Sequence, residues 1–167
     1  KSVIFMLSNR FNTFLLTLLL AGSLSTANAT TVRDLKYGTI LFDYYQQDYF
    51  SALIGYEYAN EKGELKHHKD EARLLKGGMT LSYGLADDAQ IIFKDLLNNK
   101  VPEEVRNKAW YYLAKLYYQK ADATEASKSL KRIKGVIPEE VQEEYNYLAT
   151  LINIKNNHLD AAAEGIA

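Results

Sequence analysis

The pattern of apolar positions between residues 110 and 138 predicts two consecutive helices that pack against each other. The pattern reads Trp110-x2-Leu113-Ala114-x2-Tyr117, then Ala126-x3-Leu130-x2-Ile133, then Pro138. Residues three and four apart share a helix face, so each stretch places bulky side chains and one small residue on a single face. The small residues allow the two helices to approach closely. The stretch therefore predicts an antiparallel helix hairpin.

The hairpin recurs along the chain. The small residue that opens each second helix returns at intervals of 37, 37 and 36 residues, at Ala52, Ala89, Ala126 and Ala162. The tetrapeptide Pro-Glu-Glu-Val occurs at residues 102–105 and again at residues 138–141, which is an offset of 36 residues. Because two independent features share one period, the sequence predicts an array of helical hairpins.

The spacing in residues 110–138 closely resembles that of the tetratricopeptide repeat, and the resemblance covers about residues 33 to 167. It implies an all-α fold, built as a right-handed superhelical array of antiparallel helix hairpins in which the first helices line a concave groove. About four repeats fit within residues 30–167, the last of them incomplete.

The four units match the repeat to different degrees. The first unit begins at Tyr37 but has no glycine in its predicted turn at residues 46–48, whereas the second unit has Gly84 there. The second unit carries Arg73 and Thr80 where the third carries its large aromatic residues. The fourth unit, from residue 138 onward, allows two registers that differ by one residue.

The N-terminal segment has a different character. Lys1 and Arg10 are its only charges, residues 14–21 are apolar, and Ala27-Asn28-Ala29 follows. This order predicts a secretory signal peptide over residues 1–29, cleaved before Thr30. The apolar run is shorter than the roughly 20 residues that span a bilayer, which favours cleavage over an anchor. Membrane contact is therefore expected only before cleavage.

The absence of cysteine and the position of the glycosylation sequon indicate the compartment. Without cysteine the chain has no lipid-modified residue at the cleavage site, and the exported domain relies on packing rather than disulfides. Cleavage would sever the single sequon at residues 28–30, which leaves no support for a eukaryotic secretory route. We expect a periplasmic protein. The start at Lys1 and the stop at Ala167, inside a predicted helix, lead us to expect an N-terminal fragment of a longer protein.

Charge and candidate chemistry favour a binding protein over an enzyme. Cleavage would leave 18 of the 20 basic residues and all 21 acidic ones, so no strong positive field indicates nucleic acid. The basic cluster at residues 128–134 lies near a predicted helix C-terminus, where cations oppose the macrodipole. The glutamate pairs after Pro102 and Pro138 fit helix starts, and adjacent glutamates do not face each other as an acid and base would.

No metal or cofactor site is predicted. His67 and His68 are consecutive, have no ligand at i+4 and lie between Lys66 and Lys69, so a solvated loop is favoured over weak metal capture. The chain also lacks a phosphate-binding glycine loop and a nucleophile elbow. We expect no catalytic residues, no cofactor and no metal.

The tyrosines provide the main binding hypothesis. All 13 follow the predicted signal peptide, and many occur in pairs, of which one member packs inside while the other faces the concave wall. Tyrosine suits recognition because it offers apolar area and a hydroxyl at low entropic cost. The alternative is that these rings only cover neighbouring helices. The resemblance implies a groove formed by Phe42, Tyr45, Leu81, Ser82, Lys108, Tyr111, Lys115, Tyr118 and Gln119.

The leading functional expectation is an exported helical-repeat scaffold that mediates protein–protein contacts with another envelope protein or peptide segment. Only Lys108 and Lys115 supply cations to this groove, so recognition of a chain-terminal carboxylate is not expected. One alternative is an accessory domain of a larger periplasmic enzyme or polysaccharide machine. Another is a glycan-binding module, because tyrosine rings also stack on sugars.

Overall fold

A computed structural model describes residues 32–135, 137 and 139–157. The predicted signal peptide, its cleavage site, Pro138 and Ala162 lie outside the described residues. Within those residues the chain forms helices and no strand, which confirms the all-α prediction. The helices are α1 (Leu35–Tyr45), α2 (Tyr49–Glu61), α3 (Lys69–Ser82), α4 (Ala86–Asn98), α5 (Glu103–Gln119), α6 (Ala123–Leu130) and α7 (Glu139–Lys155). No helix in this part of the chain is long and apolar enough to cross a membrane.

The helices pack as successive hairpins. α1 packs on α2, α3 on α4 and α5 on α6, and the second helix of each hairpin also contacts the helix that follows it. The first helices contact one another in order, from α1 through α3 and α5 to α7. We call the surface that these four helices form the first-helix wall.

The turns within the hairpins repeat with the period of the sequence. One residue of each turn lies in the left-handed region, and these residues are Gln47, Gly84 and Ala121. Asn157, just after α7, has the same conformation, and φ of the four residues lies between 62° and 78°. Their spacing is 37, 37 and 36 residues, the same as that of the small residues in the second helices. The first turn thus keeps the repeat's backbone geometry with glutamine in place of glycine, at the steric cost of a Cβ atom in that conformation.

Local chemistry sets the helix starts. The carboxylates of Asp48 and Asp122 accept hydrogen bonds from the backbone N–H groups of the residues three positions on, at 3.1 and 3.0 Å, and so cap α2 and α6. Pro102 directly precedes α5, and Glu103 and Glu104 lie in its first turn, as predicted.

The core consists of three clusters that lie between successive helices. The first joins α1, α2 and α3 around Ile40, the second joins α3, α4 and α5 around Phe93, and the third joins α5, α6 and α7 around Ile152. The predicted small contact residues Ala52, Ala89 and Ala126 are fully buried in these clusters, which confirms their role.

Trp110 differs from its prediction. It was expected in the packed interior of the third hairpin, but it is half-buried and packs at the border of the second cluster. The guanidinium of Arg132 lies over its ring, 6.0 Å from the centroid. The fully buried positions of α5 are Ala109, Leu113, Ala114 and Leu116 instead. The indole therefore lies between α5 and the turn after α6. Helix α6 itself is only 8 residues long.

Candidate binding surface on the first helices

Tyr112 occupies the centre of the first-helix wall. Its ring stacks on Phe93, with 5.1 Å between the ring centroids and 3° between the ring planes. The hydroxyl end of Tyr112 passes over α3 at Gly78. A Cβ atom added to Gly78 would lie 3.3 Å from the Tyr112 hydroxyl oxygen. The glycine therefore leaves room for the phenol to reach from α5 toward α1.

Four further tyrosines, on α1, on α5 and at the start of α2, extend this arrangement. Tyr44 contacts Tyr45 and Tyr49, with ring centroids 5.6 and 5.5 Å apart, and Tyr111 contacts Tyr112 at 5.7 Å. The hydroxyls of Tyr44 and Tyr112 interact, which connects the two groups. We call Tyr44, Tyr45, Tyr49, Tyr111 and Tyr112 the tyrosine cluster. Edge-on and tilted ring contacts of this kind hold aromatic side chains in fixed orientations.

Burial raises the pKa of three of these phenols above the ordinary value of 10.0. It raises the pKa of Tyr112, and the Tyr44 hydroxyl raises it further. Burial raises the pKa of Tyr111 to about 12, with a further contribution from Glu144, whose carboxylate accepts a hydrogen bond of 3.3 Å from the Tyr111 hydroxyl. Burial also raises the pKa of Tyr44. All three hydroxyl groups are therefore neutral at physiological pH, and that of Tyr111 already donates its proton to Glu144.

Tyr37 forms a second aromatic contact on α1. Its ring stacks on His68, with centroids 4.5 Å apart, and burial raises its pKa to about 12. The charges of Glu71 and Glu104 also raise this pKa, so a carboxylate from α3 and one from α5 lie near the same phenol. The stack of Tyr37 on His68 therefore joins the start of α1 to the start of α3.

The two predicted site residues of α1 are both accessible, but only one joins the cluster. Tyr45 is 73% exposed and contacts Tyr44. Phe42 is 64% exposed and lies two positions, or about 200°, from the fully buried Ile40. Phe42 makes no aromatic contact within the described residues, so it does not join the tyrosine cluster.

In α3 the two predicted site residues have different environments. Leu81 is only 7% exposed and belongs to the core cluster around Phe93, so it offers almost no surface to a partner. Ser82 is exposed, and its hydroxyl donates a 3.1 Å hydrogen bond to the carbonyl of Gly78. The part of α3 that meets the tyrosine cluster is Gly78, one helical turn before Ser82.

The five predicted site residues of α5 lie on one side of the helix. Lys108 is half-buried, with its Nζ 2.6 Å from Oε1 of Glu104. Tyr111 and Tyr118 are half-buried and pack against the core cluster around Ile152, while Lys115 and Gln119 are exposed. Lys108 is thus already engaged by a carboxylate of its own helix, whereas Lys115 forms no ion pair within the described residues.

Sequence reasoning missed three residues of the cluster's centre, Gly78, Tyr112 and Glu144. Tyr112 was expected to pack inside, yet its hydroxyl end reaches Tyr44 on the wall. Gly78 has no side chain that would mark it as part of a binding surface. The 34 residues from Gly78 to Tyr112 and the 33 from Tyr111 to Glu144 correspond to nearly one repeat, so neighbours on the wall were detectable from the period.

His67 and His68 are more ordered than the predicted solvated loop. The Asp34 carboxylate accepts hydrogen bonds from the backbone N–H groups of both histidines, at 2.8 and 3.0 Å, and pairs with Nδ1 of His67 at 2.8 Å. The Arg33 N–H donates to Nε2 of His68 at 3.1 Å. The loop therefore fastens the start of α1 to the start of α3. In the described part of the chain, no group of three or more potential ligands is placed to hold a metal ion.

No protein-family model, curated protein or solved structure matches this chain.

Proposed function

We propose that this chain is an exported scaffold of the tetratricopeptide-repeat type, which binds a segment of another envelope protein along the first-helix wall. The observation that carries the proposal is the tyrosine cluster. It connects α1 and α5 across Gly78 and combines accessible ring area with neutral hydroxyl groups.

The repeat class is supported by sequence and backbone together. The spacing of Trp110, Leu113, Ala114 and Tyr117 resembles the repeat, and the left-handed turn residues recur at intervals of 37, 37 and 36 residues. The contacts between successive first helices are those expected of hairpins stacked side by side. In a right-handed superhelix of such hairpins, the first helices would line the concave side.

The chemistry of the wall favours a peptide segment as the ligand. Tyr45 and Tyr111 supply apolar area, and Glu71 and Lys115 supply charges of both signs. The exposed phenol of Tyr45 supplies a hydroxyl that can form hydrogen bonds. Mixed surfaces rich in tyrosine are typical of protein recognition sites. The periplasmic location rests on the N-terminal sequence alone, on the charged start, the apolar run and the small residues at positions 27 and 29.

The glycan-binding alternative draws on the same observation. Tyr45 is the most accessible ring of the cluster, and an accessible ring can stack on the apolar face of a sugar. The half-buried rings of Tyr111 and Tyr112 offer less free face for stacking. A protein segment, which also contacts ring edges and hydroxyls, therefore uses more of the cluster than a sugar does.

A capture experiment with a matched control tests the proposal. The wild type, a Tyr45→Ala/Tyr111→Ala variant and a Tyr83→Ala control are immobilised and exposed to periplasmic extract and, separately, to a set of glycan columns. Tyr83 is an exposed tyrosine in the turn after α3. We expect a protein that is retained by the wild type and the control and lost with the double variant. If the wild type and the control are retained on a glycan column and the double variant is not, the ligand is a sugar rather than a protein. Identical retention by all three chains would contradict a binding site on the first-helix wall.

A further inference from the structure

Helix α2 carries apolar side chains on two opposite faces. Ala52, Tyr56 and Ala59 are buried against α1 and α3. On the opposite side lie Phe50, Ile54 and Tyr58, which are 67%, 55% and 52% exposed. We call these three residues the α2 stripe. They are spaced four residues apart and so form one continuous row along the helix. A helix that is apolar on both faces is normally covered on both.

Charges of opposite sign lie at the two ends of the α2 stripe. The ammonium groups of Lys36 and Lys62 lie over the Tyr58 ring, 5.7 and 5.9 Å from its centroid. At the other end, the carboxylate of Asp48 caps the helix just before Phe50 and remains exposed. Glu57, near the middle, is paired with Lys76 at 2.6 Å. The stripe is therefore apolar at its centre, cationic at one end and anionic at the other.

We propose that the α2 stripe is the contact between two copies of this chain, paired antiparallel about a two-fold axis at Ile54. In that arrangement Ile54 meets Ile54, Phe50 meets Tyr58, and Lys36 and Lys62 of each copy approach Asp48 of the other. A two-fold interface brings each surface patch against itself, so it requires self-complementarity of this kind. Glu61, which is also exposed near the cationic end, would lie opposite Gln47, next to Asp48 of the other copy. The two lysines outnumber this one carboxylate, so the end keeps a net positive charge.

Light scattering of the wild type and two variants tests the proposal. Ile54→Glu places two like charges, one from each copy, on the proposed axis at the centre of the stripe. It should leave the fold intact because Ile54 is exposed. The matched control is Ile91→Glu on α4, whose side chain is also exposed. We expect a two-chain mass for the wild type and the control, and a one-chain mass for Ile54→Glu. A one-chain mass for the wild type at every protein concentration tested would overturn the proposal, as would a two-chain mass for Ile54→Glu.

The end charges are tested separately. Asp48→Asn keeps the helix cap, because asparagine caps as well as aspartate, but removes the anion. Lys62→Glu reverses one cation. Each substitution occurs twice in the dimer, so we expect the dissociation constant to rise by about threefold or more for either variant. Unchanged dissociation constants for both would contradict the antiparallel pairing.

Cysteine cross-linking tests the axis directly, because the chain has no cysteine of its own. Ile54→Cys should form a disulfide-linked dimer under mild oxidation, since the two copies of residue 54 meet on the axis. Phe50→Cys mixed with Tyr58→Cys should give the mixed dimer in preference to either self-linked dimer. Ile91→Cys should remain monomeric under the same conditions. Equal yields of disulfide-linked dimer for Ile54→Cys and Ile91→Cys would indicate random encounters of the chains rather than a specific contact, and would overturn the proposal.

Discussion

The ring of Tyr112 on the first-helix wall lies parallel to the ring of Phe93 in the core, with 3° between the two planes. Phe93 is fully buried between α3, α4 and α5. Because the two rings are in contact, the orientation of Tyr112 depends on the packing beneath it, and the remaining tyrosines of the cluster depend on Tyr112. The proposed binding surface is therefore attached to a fully buried residue of the second core cluster.

Phe93→Ala should lower the free energy of unfolding by about 3–5 kcal/mol, because it removes a fully buried aromatic side chain and leaves a cavity. Trp110→Ala should cost clearly less, since Trp110 is only half-buried. Denaturant unfolding followed by circular dichroism measures both. A larger loss for Trp110→Ala than for Phe93→Ala would contradict the described core.

Gly77→Ala and Gly78→Ala should have different effects although the residues are adjacent in α3. A Cβ atom at Gly77 would lie 2.5 Å from Cε1 of Phe93, and overpacking of this kind costs about 1–3 kcal/mol. A Cβ atom at Gly78 would lie 3.3 Å from Tyr112, and the gain in helix propensity of about 1 kcal/mol offsets the small adjustment this requires. Thermal melts should show a loss of stability for Gly77→Ala and near-neutral behaviour for Gly78→Ala. A larger loss of stability for Gly78→Ala than for Gly77→Ala would contradict the described packing of α3 against Phe93 and Tyr112.

The hairpin array was predictable because it repeats. A period near 37 residues is visible in both the small residues and the turn positions, and the packing of Ala52, Ala89 and Ala126 follows from it. The site was predicted less well. Leu81 was assigned to the groove by its position in the repeat, yet the face of α3 that meets Tyr112 is at Gly78. This contact depends on how α3 is rotated about its own axis relative to α5. The sequence pattern of a single repeat does not specify that rotation.

The stability of the protein should fall as the pH rises from 10 to about 12. The pKa values of Tyr37 and Tyr111 are raised from 10.0 to about 12 by burial. A phenol whose pKa is higher in the folded than in the unfolded chain contributes stability that is complete below the unfolded value and is lost as the pH passes the folded one. Urea unfolding across this range measures the effect. A Tyr37→Phe/Tyr111→Phe variant should lose part of the dependence, and overlapping curves for the two proteins would contradict the burial of these phenols.

Asp34→Asn should lower the melting temperature, because the carboxylate of Asp34 holds His67 and the backbone of His68. The same hydrogen bonds hold the pKa of Asp34 below its usual value of 3.8. Its contribution to stability is therefore present above pH 3.8 and is lost as the pH falls through the lower folded value. Glu64→Gln, an exposed change in the same loop, is the control. Equal melting temperatures for Asp34→Asn and the wild type would show that the loop is held by other contacts.

The most direct test of the proposed function is the affinity of a captured partner segment for the wild type, Tyr111→Ala and Tyr83→Ala, measured by calorimetric titration. If the tyrosine cluster is the centre of the binding surface, Tyr111→Ala should weaken binding by about 2 kcal/mol or more, because binding energy concentrates in a few central aromatic residues. Tyr83→Ala should leave the affinity unchanged, since Tyr83 lies in the turn after α3 and contacts no ring of the cluster within the described residues. We expect this difference in affinity, together with melting curves that show both variants folded at the temperature of the titration. Equal affinities for all three proteins would contradict it.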